Sequence, residues 1–257
     1  MAEVLKVRGL MKRFSGIVAL DRIDLDIEEG ERVGLIGPNG AGKTTCFNCI
    51  LGVLPIDGGR VELAGRDVTG LPVSTRARLG IGRTFQRIEL FPDSTVRDHL
   101  FLAERVRRGS GRLWRDLVGL GRPTRDEMAR CDHVLGLLGL EALADDPIER
   151  LSLGQCRLVE VGRALMTDPK MLLLDEPSSG LDRNEAASLA ATLQDVQAEK
   201  GFAILLVEHD VELVSAFTTR TYVLDFGRVL ISGPTKEVLA SPDVRAAYLG
   251  DYEPETT

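Results

Sequence analysis

The sequence predicts an α/β protein, with a mainly parallel sheet flanked by helices, an N-terminal antiparallel β part and an inserted helical lobe. Three observations predict it. Gly37–Thr45 reads GPNGAGKTT, a phosphate-loop pattern of Gly, four residues, then Gly-Lys-Thr. It is set between the short apolar run Arg32–Ile36 and the breaker-free stretch Thr44–Leu51. From residue 151 onward, helix and strand patterns alternate, as they do when helices cover a parallel sheet. Before that, Ile23–Ile27 alternates apolar and polar residues, and Asp57-Gly58-Gly59 marks a turn ahead of Arg60–Ala64. Both read as one-sided antiparallel strands.

The bulk numbers set limits. The 257 residues suit one large domain or two small lobes. A hydrophobic fraction of 44% and a charged fraction of 28% are ordinary for a globular protein. A formal charge of -7 argues against a surface built for nucleic acid. No run of eighteen apolar residues is present, so no membrane span is expected. The start, MAEVLKVRGL, lacks the pattern of a secretory leader, so a cytosolic protein is expected. Its cysteines, Cys46, Cys49, Cys131 and Cys156, are then expected to be reduced. Cys46 and Cys49 form a CxxC pair, but they lie on one expected helix with no second pair. They read as small buried thiols rather than a zinc or redox site.

In chain order, Glu3–Arg8 is a strand candidate, followed by Phe14 in LMKRFSG. That ring could stack on a purine base or fill a core. Arg32–Ile36 reads as a buried strand, Thr44–Leu51 as a helix and Gly80–Thr84 as a strand ending at Phe85-Gln86. Thr95–Arg108 and Arg125–Leu138 read as helices around a glycine- and proline-rich loop, 109–123. Seven arginines fall between Arg105 and Arg125. Interspersed acids make a solvated face the better reading than a lipid or partner contact. Gly154–Met166 is helical, Met171–Leu174 a strand, Asp182–Glu199 a long helix with Asp182 as cap, and Ala203–Val207 a strand. The tail, Asp251–Thr257, is acidic and expected to be loose. The chain is expected to be one domain, 1–257. Its core lobe would be 1–90 with 159–257, and its helical lobe 91–158.

The chemistry follows from the loop. Gly37, Gly40 and Gly42 let backbone N–H groups close on phosphate oxygens, and the new helix adds its positive end. Pro38, Asn39 and Ala41 complete the turn, and Thr45 follows it. Lys43 supplies a charge for the outer phosphates, and the Thr44 hydroxyl can reach a magnesium ion. Asp175 and Glu176 end an apolar run, where ligands gather in open α/β sheets. Asp175 would hold magnesium through water, and Glu176 would polarise an attacking water. His209 ends another such run and can bond the terminal phosphate. Gln86 could reach the metal or the water. His99 and His133 read as structural. Ser152 with Gln155 in LSLGQ forms a capping box, which alone explains both. A capped helix start near Gly154 is also an anion site, and would serve a second molecule's nucleotide.

In this order, the phosphate loop, Gln86, LSLGQ at 151–155, LLLDEP at 172–177, SGLD at 179–182 and His209 resemble the ATP-binding cassette (ABC) transporter ATPase family. The resemblance covers nearly the whole chain and implies a P-loop NTPase core with ATP and Mg2+ as ligands. It implies that Phe14 stacks on adenine, that Ser152 and Gly154 face the γ-phosphate, and that Asp182 lies in a loop crossing a dimer interface. It also implies a second ABC subunit, identical or a paralogue, and integral membrane permease subunits as partners. The signature usually reads LSGGQ, and here Leu153 replaces the first glycine. GIGRTFQRIELFPDSTVRDHL (80–100), GQCRLVEVGRAL (154–165) and VRAAYLGD (244–251) resemble the ATP-binding subunits of branched-chain amino acid importers, which commonly carry a bulky residue there. A lipopolysaccharide-export ATPase and a soluble ABC ATPase acting on nucleic acid or ribosomes are the alternatives. Ile88, Leu90 and Phe91, beside Gln86, would either seat a cytoplasmic helix of a membrane subunit or pack the helical lobe.

Overall fold

The computed structural model describes residues 2–84, 90–107 and 123–244. The described chain forms two compact units. The first takes in 2–81, 170–176 and 201–244, and the second 82–169 and 177–200, within the described residues.

The first unit begins with a long hairpin, β1 (Glu3–Phe14) and β2 (Ile17–Glu28). With β4 (Gly58–Leu63) and β5 (Arg66–Asp67) it makes a four-stranded antiparallel sheet in the order β2-β1-β4-β5. The alternation read in Ile23–Ile27 is real: Ile23, Leu25 and Ile27 are fully buried. The second sheet has the order β10-β9-β3-β8-β7-β6. Its strands are β3 (Arg32–Ile36), β6 (Ile81–Arg83), β7 (Met171–Asp175), β8 (Ala203–Val207), β9 (Arg220–Asp225) and β10 (Arg228–Pro234). β9, β3, β8 and β7 are parallel, and β10 pairs antiparallel to β9. β7 and β8 read as near-continuous apolar runs because both faces of the sheet are covered.

On one face, Leu173, Leu205 and Leu35 share a core with Leu5, Leu25 and Val61 of the antiparallel sheet and with Phe47 and Ile50 of α1 (Lys43–Leu51). On the other, Ile36 and Val223 pack with Val214 of α7 (Val211–Phe217) and Val238 of α8 (Thr235–Ala240). A short helix α2 (Val73–Arg78) follows β5. Its buried Arg76 donates to the carbonyls of Cys49 and Ile50 at the end of α1, at 2.9 and 2.6 Å.

The second unit is helical: α3 (Val96–Arg107), α4 (Arg125–Leu138), α5 (Leu153–Leu165) and α6 (Arg183–Lys200). Thr124 caps α4 by a reciprocal capping box with Glu127. α3, α4 and α5 meet at Gly162, where an added Cβ would lie 3.0 Å from Leu138 and 3.3 Å from Leu100. Glu104, fully buried, accepts from Arg107 at 3.0 Å and faces Arg130 at 3.4 Å. Arg130 continues to Asp168 at 2.9 Å. Arg107 of the arginine-rich run is thus committed to an ion-pair network, and most of that run lies outside the described residues. His99 is buried; its Nε2 is 3.1 Å from the Phe91 amide, and its ring stacks on Phe91. The tail also lies outside the described residues.

Candidate functional site

In the first unit, β3 ends at Ile36 in the middle of the parallel strands and the chain turns into the phosphate loop. Gly37 has φ 148°, and a Cβ there would lie 2.0 Å from the Leu224 carbonyl of β9. No side chain fits that gap. Gly42 is the N-cap of α1 in the left-handed region, at φ 101°, and no side chain caps this helix. The first N–H groups of α1, Lys43 to Thr45, have no intrahelical acceptor. They make the cradle an anion needs. The Pro38 carbonyl accepts from the Ala41 amide at 3.2 Å, which tightens the turn, and Asn39 and Gly40 form its exposed tip.

The loop is strapped from behind. The Gly227 amide donates to the Ala41 carbonyl at 3.0 Å, and the Asp21 amide donates to the Gly227 carbonyl at 2.8 Å. Sequence reasoning missed Leu224 and Gly227 altogether. The Gly-Arg turn at 227–228 was their only local signal.

Lys43 folds over the loop. Its Nζ donates to the carbonyls of Gly37 and Pro38 at 2.7 and 3.0 Å. An ammonium has three donors, so one remains for a phosphate oxygen. Burial lowers the Lys43 pKa, and the nearby Glu176 and Asp175 carboxylates act against that shift. The Thr44 side chain is exposed and that of Thr45 half-buried.

Sheet register brings the acids to the same edge. Leu35 pairs with Val207 and Val207 with Asp175, so the ends of β3, β8 and β7 are level. Glu176 follows in the left-handed region, at φ 48°, and its amide donates to the Val207 carbonyl at 2.8 Å. A non-glycine residue held there costs on the order of 1–3 kcal/mol, and such strain clusters at functional sites. The turn aims the Glu176 carboxylate at His209, with Oε1 2.6 Å from Nε2. A carboxylate only accepts, so the hydrogen of this bond is on Nε2. Glu208, passed over in the sequence, is buried and accepts from the His209 amide at 3.1 Å, which holds the histidine's backbone.

Phe14 is 43% exposed at the end of β1, with Lys12 Nζ 5.3 Å from its ring centre. It is not a core residue, which leaves it available for stacking. Cys46 and Cys49 are buried on α1, and burial pushes their thiols up to about 12 and about 11. They are inert packing groups. Among the described residues, no three His, Cys, Asp or Glu side chains form a metal cluster.

In the second unit, Ser152 caps α5. Its Oγ accepts from the Gln155 amide at 3.3 Å, and Gln155 Oε1 accepts from the Ser152 amide at 2.8 Å. The expected capping box is present. Asp182 and Glu185 form a second such pair at the start of α6, at 2.8 and 3.1 Å. Gly154 lies against Glu185, with its Cβ position 3.7 Å from Oε1. Arg157 and Glu160, both buried, pair at 3.1 Å, and neither was singled out in the sequence. Gln86, Ile88 and the arginines from 108 to 122 lie outside the described residues.

A phosphate loop feeding α1, an acid pair at the end of β7 and a histidine at the end of β8 define a P-loop nucleoside triphosphatase. Residues 20–179 match the ABC transporter family, and the chain belongs to that family as one of its ATPases. It is 38% identical over 251 residues to the high-affinity branched-chain amino acid transport ATP-binding protein LivG of Salmonella typhimurium, covering 96% of this chain and 98% of that one. It is 37% identical over 254 residues to the corresponding protein BraF of Pseudomonas aeruginosa, with the same coverage. Among solved structures, the ADP conformation of MJ1267, an ATP-binding cassette of an ABC transporter, superposes with TM-score 0.87 at 33% identity. The match covers 98% of this chain and all of that one.

Proposed function

We propose that this chain is the ATP-hydrolysing subunit of a membrane importer for branched-chain or other hydrophobic amino acids. The observation that carries the reaction is the Glu176–His209 pair, at 2.6 Å, level with the phosphate loop. The likeness to LivG and BraF over nearly their whole length supports the cargo.

Gly37 to Thr45 bind the phosphates, and Phe14 stacks on the base. Thr44 and Asp175, with Gln86, would hold Mg2+, a hard cation that their oxygen donors suit. When bound, Mg2+ neutralises charge on the outer phosphates. Glu176 accepts the proton of the attacking water, and His209 fixes the orientation of that carboxylate. Ser152, Gly154 and Gln155 reach the γ-phosphate of a partner's ATP, and Asp182 lies at the contact between two chains, identical or paralogous. The nucleotide-binding lobe is built on the first compact unit, and the signature turn belongs to the second, helical unit. Among the described residues, no helix is long and apolar enough to cross a membrane. By the likeness to LivG and BraF, the chain works at the cytoplasmic face of the inner membrane on integral permease subunits, with no nucleic-acid partner. The net charge of -7 supports the last point. The test is a cysteine at Glu89, crosslinked in membranes. Capture of an integral permease together with ATPase activity is expected. ATPase activity with no captured membrane protein would contradict the importer reading.

A further inference from the structure

The third signature position carries a leucine, and Leu153 is 38% exposed at the start of α5. Its other side faces Gly180, in the loop between β7 and α6. An added Cβ at Gly180 would lie 3.0 Å from Leu153 Cδ2. That is tighter than ordinary van der Waals contact, so any side chain at 180 makes Leu153 withdraw by a few tenths of an ångström. Two further contacts join the same segments. Arg157, one turn along α5 and held by buried Glu160, points Nη2 at the Ser179 carbonyl at 3.4 Å. Gly154 lies against Glu185, which is itself locked to Asp182. Leu153, Gly154 and Arg157 all bear on 179–185, and all lie in one compact unit.

We infer that Leu153 and Gly180 are a matched pair, in which the large signature residue is seated on a glycine so that the signature turn and the 178–182 loop move as one block. Arg157 is the second tie. Both Leu153 and Arg157 are positioning residues: they act through Ser152 and Asp182 and touch no substrate. The inference rests on the proposed roles of Ser152 and Asp182. It adds that bulk at 153 demands a glycine at 180, and that the two positions are read together.

Gly180 has φ 84°, so Gly180→Ala carries backbone strain whatever occupies position 153. A double-mutant cycle separates strain from crowding. The four proteins are wild type, Leu153→Gly, Gly180→Ala and the double variant. They are compared for kcat and KM of ATP hydrolysis and for Tm. Leu153→Gly is expected to lower kcat by no more than a few-fold. Gly180→Ala is expected to lower kcat with KM little changed, because the phosphate loop is untouched. Its fold-loss is expected to be at least about threefold smaller in the Leu153→Gly background, the range of coupling between residues in contact. Its Tm loss is expected to shrink in that background too. Equal losses in both backgrounds, in kcat and Tm alike, would overturn the pairing. Coupling in Tm alone would overturn the positioning role. Wild-type protein without ATP hydrolysis would refute the functional reading instead, while the Tm cycle would still decide whether the two residues pack as a pair.

Discussion

Two helix starts in this chain are built by opposite rules. α1 begins at Gly42 with no side-chain cap and no acid in its first turn. α5 begins at Ser152 with a complete capping box. An uncapped start leaves N–H groups and the helix dipole for an outside anion. A capped start satisfies some of its own amides, here those of Ser152 and Gln155. What it still offers is the first-turn amides of Leu153 and Gly154 and the Ser152 hydroxyl hydrogen, because Oγ accepts from Gln155 and a hydroxyl also donates. The first is a backbone site that can grip a phosphate from within its own chain. The second adds a side-chain donor to its two remaining amides on a rigid frame, which suits brief contact with a nucleotide held elsewhere.

Substitutions sharpen the contrast, the largest effect first. Gly37→Ala puts a methyl group 2.0 Å from the Leu224 carbonyl. Calorimetry is expected to find nucleotide binding abolished, because the loop can no longer pass β9. Unchanged affinity would show that β9 yields. Lys43→Ala removes a charged donor worth about 1.5–3 kcal/mol. ATP affinity is expected to fall tenfold or more in the same measurement.

Ser152 divides the capped start into its two roles. Ser152→Ala removes cap and donor together, costing about 1 kcal/mol of stability along with ATP-driven dimerisation. Ser152→Asp keeps an acceptor for the Gln155 amide and loses the donor. Its Tm is expected to stay near wild type while dimerisation is lost, as read by light scattering. Retained dimerisation in the Asp variant would reduce Ser152 to a cap.

The smallest effect concerns pH. Burial lowers the His99 pKa from the usual 6.5, so the unfolded chain binds a proton that the folded chain refuses. Stability is expected to fall as pH drops below about 6.5. His99→Asn is expected to flatten that part of the urea-midpoint profile. An unchanged slope would show that His99 titrates alike in both states.

The sequence made the local parts of this arrangement readable. The phosphate loop, the acids at 175–176, the Ser152–Gln155 box and the Asp182 cap are short patterns, set by backbone rules within a few residues. What it hid was long-range. β9 went unread because RTYVLD contains Thr221, which looks polar but is fully buried, its hydroxyl 2.9 Å from that of Thr235 and its neighbour Thr218 beside them. The strap of Gly227 on Ala41 joins residues far apart in the chain. The left-handed turn at Glu176 is imposed by Val207, which no local motif announces. The Leu153–Gly180 contact likewise needs both segments in place before either residue has meaning.

The central claim is that Glu176 is the base at a site where phosphates are gripped independently of it. Glu176→Gln tests it most directly, because the amide keeps the shape and a hydrogen-bond acceptor for His209 but cannot take a proton. ATP turnover measured beside calorimetric ATP affinity is predicted to fall by about 10²-fold or more, in the range for loss of a general base, with binding retained and an ATP-bound dimer trapped. Turnover at the wild-type rate would contradict the account.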